Sequence, residues 1–400
     1  MQTEETKKIK RPKQKYYWDF YLILTVFLLI CFGLVMIYSS SYYNAIRENK
    51  SEFSYVLKQG LSALIGIVAI AGILGIGYKR ILNRFSFPLQ IIGLICMLAV
   101  QFTSLGIEAN GRKRWLGVGE ASFQPTELVK IATILFVVKY ICDHRNKPKS
   151  VKDHLVFVLF LLAPLAFVTA NNLSSGIIIA LIIIVLFYVS TNKPKWFWLA
   201  AGGMVALYVI GYFFSGVIVD LGILKEYQIS RVVVWRNPEA YATGDGYQVL
   251  QGLYAIGSGG LFGKGLGNST QKLGFIPEAQ NDMIFSIICE ELGIFGAICI
   301  IALYVFLFYR MLVIIRNARD YAGKLIVIGV LAHFAIQLIL NIAVVTNSMP
   351  NTGVSLPFIS YGGTSEIFLL SEIGLVLSVG RDIPIKRKRV EKEQEEKEKN

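Results

Sequence analysis

Charge is what this sequence has least of. Only 17% of its 400 residues are Asp, Glu, Lys or Arg, while 54% are hydrophobic and the mean hydropathy is +0.55. A soluble chain of this length has no need for so much apolar surface. Many separate runs of about 20 apolar residues indicate a polytopic helical membrane protein instead. Histidine is scarcer still, and His144, His154 and His333 stand too far apart in the chain to suggest a metal cluster. The five cysteines (Cys31, Cys96, Cys142, Cys289 and Cys299) lie in or beside apolar runs with no CxxC spacing, which argues against disulfides and a zinc site. A nucleotide loop is missing as well. The glycine-rich run 257–267 has Ser258 where a Walker motif needs glycine, and Gly265 where Ser or Thr must follow Lys264. A cleavable leader is not indicated either. The apolar run 17–38 is too long and has no small-residue cleavage site, so it reads as a retained first span.

What the chain does have is a series of apolar runs. The hydropathy predicts an all-α polytopic membrane protein with ten transmembrane helices, at 17–39, 56–77, 86–106, 122–142, 153–170, 173–190, 196–217, 283–309, 323–346 and 364–380. They form one membrane domain over 17–381, flanked by a basic tail at 1–16 and a charged tail at 382–400 of alternating Lys and Glu, expected to be disordered. An even number of spans puts both tails on one side. That side collects 27 Lys and Arg, against 11 on the other, which makes both termini cytoplasmic and the protein multi-pass in the cytoplasmic membrane. The net charge of +13 therefore reflects membrane topology, and nucleic-acid binding is not expected.

This orientation places the unusual sequence outside. The largest outer stretch is an extracellular loop, 218–281, between helices 7 and 8, long enough to hold helices of its own. It ends at Pro277, which stops any helix upstream, and Asn281-Asp282 then offers an N-cap to the next apolar run. Asp282 is thus a carboxylate at the lip of a transmembrane helix. Arg112, Lys113 and Arg114 precede Trp115 on another outer loop. That cluster suits either lipid headgroups, with Trp115 as an interfacial anchor, or a diphosphate. Inside the spans, Glu127, Lys130, Glu290, Glu291, His333, Glu366 and Glu372 should face the bundle interior. Glu127 and Lys130, three apart, share a helical face, so Lys130 either pairs with Glu127 or meets an anion in a cavity. At least one of Glu290 and Glu291 suits hydrogen bonding between helices. The run 257–267, following an amphipathic stretch at 246–256, suits a re-entrant segment lining a cavity.

Taken together, these stretches resemble the SEDS family (shape, elongation, division and sporulation proteins). The resemblance is carried by Arg114-Trp115 with Phe123-Gln124-Pro125-Thr126-Glu127 and Lys130; by Gly246-Tyr247-Gln248; and by Ile256-Gly257-Ser258-Gly259-Gly260 as far as Gly267. Pro277-Glu278 with Asp282 and Glu290-Glu291-Leu292-Gly293, and Leu356-Pro357-Phe358 to Gly363, complete it. It covers about residues 15 to 381. Trp235-Arg236-Asn237-Pro238 leans towards the FtsW/SpoVE branch over RodA. The chain departs from the family pattern at Asn281 and Met283, where Thr and Phe are common. It departs again at Asn171-Asn172-Leu173-Ser174-Ser175, where a Pro-Asp-Leu/Phe-Gly-Thr-like run is frequent.

The resemblance implies a peptidoglycan glycosyltransferase that polymerises lipid II at the outer face, for cell division or sporulation. Its implied partners are a class B penicillin-binding protein and a divisome or similar complex. It puts the essential aspartate at Asp282 and substrate contacts at Arg114, Trp115, Lys130, Glu278, Gln248, Ser360 and Tyr361. The residues fit that chemistry. A diphosphate is a good leaving group, so one base acting on the acceptor hydroxyl is enough, unlike the paired carboxyls of a glycosidase. Partial burial of Asp282 should raise its pKa into a useful range. A divalent cation, magnesium or manganese, is a possible aid to the leaving group, with Asp282 and Glu278 offering oxygens without a full cage. The alternative from another class is a lipid II flippase or transporter, for which a cavity with buried ions would serve equally well. A scaffold that only activates its partner is a third.

Overall fold

The computed structural model describes residues 18–109, 112–118, 121–145, 151–191, 202–203, 226–244 and 246–383. Apart from residues 202–203, the expected seventh span at 196–217 lies outside the described residues, as do nearly all of both tails. The chain runs α1 (Phe20–Arg47), α2 (Ser54–Ile76), α3 (Tyr78–Phe102), β1 (Gly106–Ala109), β2 (Arg112–Val118), β3 (Ala121–Phe123), α4 (Pro125–Asp143), α5 (Val151–Asn171) and α6 (Leu173–Ser190). It continues through α7 (Glu226–Arg236), a 3-10 turn (Pro238–Tyr241), α8 (Tyr247–Gly259), α9 (Ile284–Asn317), α10 (Tyr321–Val345) and α11 (Gly363–Arg381). Among the described residues, seven helices (α1, α2, α3, α6, α9, α10 and α11) are long and apolar enough to cross a membrane. Helices α4 and α5 occupy the expected spans 122–142 and 153–170.

Sequence chemistry accounts for the joints. Asp19 caps α1, its carboxylate accepting from the Leu22 amide at 3.1 Å. Asp320 does the same for α10 through Gly323, at 2.7 Å. A single residue, Gly77, separates α2 from α3. Its φ of +83° turns the chain without a loop, so α3 begins at Tyr78 rather than near 86 as hydropathy suggests. The polar start of α3 is held at the bundle end. The Tyr78 hydroxyl donates to Asp320 at 2.6 Å, and Lys79 reaches both Asp320 and Asp382. At the same end Arg310 pairs with Asp19 at 2.8 Å, which carries α9 past the expected limit of 309 to Asn317. This end gathers the starts of α1, α3 and α10 with the ends of α2, α9 and α11.

The opposite end carries the irregular sequence. Here the all-α expectation fails locally, since β1, β2 and β3 form a small antiparallel sheet with Gly106 opposite Leu116 and Leu116 opposite Phe123. Short strands with a cationic, glycine-containing sequence have no alternating apolar pattern long enough to read. The 218–281 stretch holds its own helices, α7 and α8, as its length suggests. Around the core, α2 packs most closely on α11 and α3 on α4, while α9 sits against α1, α8 and α10.

Candidate active site

Helix α9 is not continuous. Gly293 has φ 66° and ψ −168°, which breaks the helical ladder and leaves its neighbours' backbone groups without helical partners. The glycine-rich loop after α8 supplies them. Lys264 and Gly265 donate to the Glu290 and Glu291 carbonyls at 2.9 Å, and Ile294 and Phe295 donate to Gly260 and Leu261 at 3.0 and 3.1 Å. Such contact needs bare backbone. A Cβ on Gly259, Gly263 or Gly293 would overlap the facing main chain. Gly259 and Gly263 therefore serve close packing against a broken helix.

Two buried carboxylates pin the same loop. Glu290 pairs with Lys264 at 2.6 Å and accepts from the Ser269 hydroxyl and the Thr270 amide. Glu291 pairs with Lys272 at 2.7 Å and accepts from Ser39 of α1. Both are fully buried, and their ammonium and hydroxyl partners offset the cost of removing them from water. Glu290 lies six residues into α9 from Ile284, about 9 Å at 1.5 Å per residue, so the loop descends beside the helix. The 347–363 loop also dips inward. The Phe358 carbonyl lies 2.5 Å from where a Gly33 Cβ would stand, midway along α1, and Tyr304 of α9 donates to the Pro357 carbonyl.

Asp282 sits where these pieces meet. Ile276, Ala279 and Met283 are buried anchors on either side, and Glu278 turns the chain with φ 49°. The N-cap of α9 is Met283, with no side-chain capping bond, so Asp282 does not cap the helix as its sequence position suggests. The turn at 281–283 leaves the carboxylate aimed at its neighbours. The main-chain carbonyl of Asp282 accepts from Asn341 of α10 at 2.9 Å, and Asn341 also donates to Val354 at 2.7 Å. The Gln248 amide of α8 approaches Asp282 Oδ1 at 3.5 Å, and its own oxygen accepts from Asn351 at 3.3 Å. A Cβ on Gly353 would come within 3.7 Å of Asp282 Oδ2. Burial, and then the charge of Glu278, push the Asp282 pKa up to about 6, with nearby backbone amides and Arg231 acting the other way. A half-buried carboxylate with that proton affinity is a competent base near neutral pH.

The sequence-derived candidates divide. Gln248 and Glu278 stand with Asp282. Tyr361 is tied in through its amide, which donates to the Gln280 carbonyl at 2.9 Å. Lys130 is buried against Glu127 at 2.7 Å, whose other oxygen accepts from Ser365, so the intrahelical pair prevails over a cavity-facing ammonium. Ser360 is buried, and its hydroxyl accepts from the Leu356 amide at 2.7 Å, a brace within the loop rather than a group facing Asp282. Arg114 and Trp115 are half-buried on β2, which packs on α3, α4 and α5, away from the α8–α9–α10 corner. Sequence reasoning passed over Asn341, Asn351 and Gly353. An uncharged amide in the middle of an apolar run, as at Asn341, was the available signal. Among the described residues no three His, Cys, Asp or Glu side chains come together. Asp282 and Glu278 alone do not fit a protein-built cation cage.

The FtsW/RodA/SpoVE family model, described as cell cycle protein, matches residues 20–383. Stage V sporulation protein E of Bacillus subtilis is 34% identical over 366 residues, 91% of this chain and 97% of that protein. The probable peptidoglycan glycosyltransferase FtsW of Trichlorobacter lovleyi is 31% identical over 381 residues, 94% of this chain and 97% of that one. Among solved structures, a chain of a peptidoglycan synthase complex that coordinates polymerization and crosslinking superposes with a TM-score of 0.70 at 24% identity. The match covers 91% of this chain and 98% of that one. The rod shape determining protein RodA of Thermus thermophilus superposes with a TM-score of 0.64 at 22% identity over 92% of this chain and 98% of its own. With its apolar helices and this match across almost the whole described length, the chain is a multi-pass membrane protein of the FtsW/RodA/SpoVE family, on its FtsW/SpoVE branch.

Proposed function

We propose that this protein is a peptidoglycan glycosyltransferase that polymerises lipid II into glycan strands at the outer face of the cytoplasmic membrane, in cell division or sporulation. Ten spans, both termini in the cytoplasm, and a class B penicillin-binding protein as partner belong to the same reading. The names of its FtsW relatives support the activity. The observation that carries the mechanism is Asp282, a half-buried carboxylate of raised proton affinity at the irregular end of the bundle.

In this reading the acceptor 4-hydroxyl attacks the anomeric carbon of the α-linked donor. The new carbon–oxygen bond forms on the face opposite the diphosphate, which leaves with the bonding electrons, and the product is β-linked. Asp282 takes the hydroxyl proton. Glu278 keeps Asp282 basic, Gln248 orients its carboxylate, and Asn341 fixes the backbone that carries it. A magnesium or manganese ion would offset the charge that develops on the leaving diphosphate, and Asp282 and Glu278 would be the protein oxygens nearest to hold it, too few for a cage. The test is gel analysis of strands made from lipid II by the purified protein with its partner. Synthesis by the wild type and its loss in Asp282→Asn support the reading, and undiminished synthesis by that variant overturns the assignment of the base.

One observation favours transport as a second reading. Glu127 with Lys130, and His333 with Glu372 at 2.8 Å, lie buried inside mutually packed α4, α10 and α11. A transporter would depend on that cluster and be indifferent to Asp282.

A further inference from the structure

The glycosyl transfer proposed above needs positive charge near the departing diphosphate, and two of the cations first suggested for it are ill placed. Lys130 is bound to Glu127, and Arg114 lies on the sheet over α3–α5. A different cavity lies at the same end of the bundle, linked to the 280–282 segment through Tyr361. It encloses about 220 Å³ between the α1–α2 connection and the 347–363 loop, and Glu48, Lys50, Ser54, Tyr55, Lys58 and Tyr361 line it.

Its polar groups fall into two sets. Glu48 is satisfied within the wall. Lys50 donates to it at 2.6 Å and the Tyr55 hydroxyl at 3.1 Å, and the Lys50 contact leads in holding that carboxyl below its usual range. The other set has no hydrogen-bond partner among the described residues. Among the described residues the Lys58 ammonium and the Tyr361 hydroxyl make no hydrogen bond or ion pair, and the shielded Ser54 hydroxyl makes none. Among the lining residues, Lys50 and Lys58 outnumber Glu48 by one positive charge; Lys58 acts on Glu48 through space, and Glu278, outside the lining, acts on Tyr55. Burial raises the Tyr361 pKa, so its hydroxyl keeps a proton to donate. Tyr55 and Tyr361 meet edge to face at 5.1 Å and give the cavity a firm wall. The Tyr361 amide is bonded to the Gln280 carbonyl, and Gln280 precedes Asp282 by two residues, about 7 Å of extended chain at most. Donors with no hydrogen-bonded acceptor, in a lining with one more cation than anion, fit an anion.

We propose that the Lys50–Lys58–Tyr361 cavity is a subsite for an anionic group of the lipid-linked substrate, either its diphosphate or a carboxylate of its peptide. The inference rests on the glycosyltransferase reading, and Lys58 and Tyr361 act in it as binding residues.

The experiment measures strand synthesis against lipid II concentration for Lys58→Gln, Lys58→Arg and Tyr361→Phe, with melting temperature as the folding control. Loss of one charged contact should raise KM by about tenfold or more in Lys58→Gln, with kcat within about twofold and recovery in Lys58→Arg. A lipid II whose peptide carboxylates are amidated then separates the sources. If the Lys58→Gln effect persists, the anion is the diphosphate, and if it vanishes, the carboxylate. A KM within about twofold of wild type in both Lys58→Gln and the Lys50→Gln/Lys58→Gln double variant, each folded, overturns the subsite. Lipid II binding is also read directly, as the shift in melting temperature of Asp282→Asn with and without Lys58→Gln. An active Asp282→Asn therefore removes the proposed base without deciding the subsite, and an unchanged binding shift removes the subsite without touching the base.

Discussion

Asn341 holds Asp282 by its backbone, not by its carboxylate. The amide of Asn341, fully buried in α10, donates to the Asp282 carbonyl at 2.9 Å and to the Val354 carbonyl at 2.7 Å, so one side chain joins the 281–283 turn to the 347–363 loop. Asn341→Ala leaves two carbonyls without that donor, at a cost of about 1–3 kcal/mol for a buried unsatisfied group. The expected result is a lower melting temperature together with slower strand synthesis. Asn341→Ala with wild-type melting and wild-type rate would show that the staple is unimportant.

Asp282→Asn should abolish most polymerisation, because a general base contributes about 10²–10⁴-fold. Folding and partner retention should survive, since the carboxylate caps no helix and its nearest side-chain donor stands at 3.5 Å. Strand synthesis above about a tenth of the wild-type rate lies well outside that range and counts against the base.

The pH profile follows from an Asp282 pKa of about 6 against 3.8 for an ordinary aspartate. The ionised form is the active one, so the rate should fall about tenfold per unit as pH drops below about 6. Stability runs the other way. A carboxyl whose folded pKa is raised binds more protons when folded, so a penalty sets in between about pH 4 and 6 and persists above. Asp282→Asn should therefore melt higher than wild type at pH 8, with the difference gone at pH 4. Glu278→Gln removes the neighbouring charge and should move the acid limb of the rate profile to lower pH.

Gly263→Ala tests the loop beside the broken helix. Gly263 has φ +77° and an added Cβ meets the Glu291 carbonyl, so the left-handed strain alone costs about 1–2 kcal/mol before any clash. The variant should melt lower and show faster hydrogen exchange over 259–272. Unchanged exchange there would mean that the loop is held from elsewhere.

Orientation is tested by labelling in a cysteine-free background. Ser122→Cys and Glu239→Cys, both exposed at the irregular end, should react with an impermeant reagent in intact cells. Arg319→Cys, exposed at the other end, should react only after lysis. The reverse pattern inverts the topology and removes the extracellular chemistry with it.

The helices were legible because hydropathy and length set them, and their ends were missed where an ion pair or a positive-φ glycine decided the boundary. Tyr78 and Arg310 are polar residues of long helices, held by Asp320 and Asp19 from distant parts of the chain, and no local window contains those partners. Asp282 was legible as a carboxylate at a membrane lip, but its role as a cap was inferred from spacing alone, and the 281–283 turn removes it. Glu127 and Lys130 share a face by periodicity. Whether the ammonium turns to its neighbour or to a cavity depends on Ser365 and on burial, neither of which spacing reports. The pocket around Lys58 and Tyr361 joins residues some 300 positions apart through the packing of α2 on α11, so no motif could announce it.

The interruption at Gly293 changes what the site is mechanically fastened to. Above it, the short stretch that carries Asp282 is tied sideways to the loop and to α1. Below it, Phe295, Ile298 and Val305 present an apolar flank at the bundle surface. A rigid rod would tilt the carboxylate whenever a thicker or thinner bilayer tilted the rod. Here the loop bridges the break, bonded to Glu290 and Glu291 above it and to Ile294 and Phe295 below it, so any tilt of the lower segment reaches Asp282 through the loop's hydrogen bonds as well as through the helix.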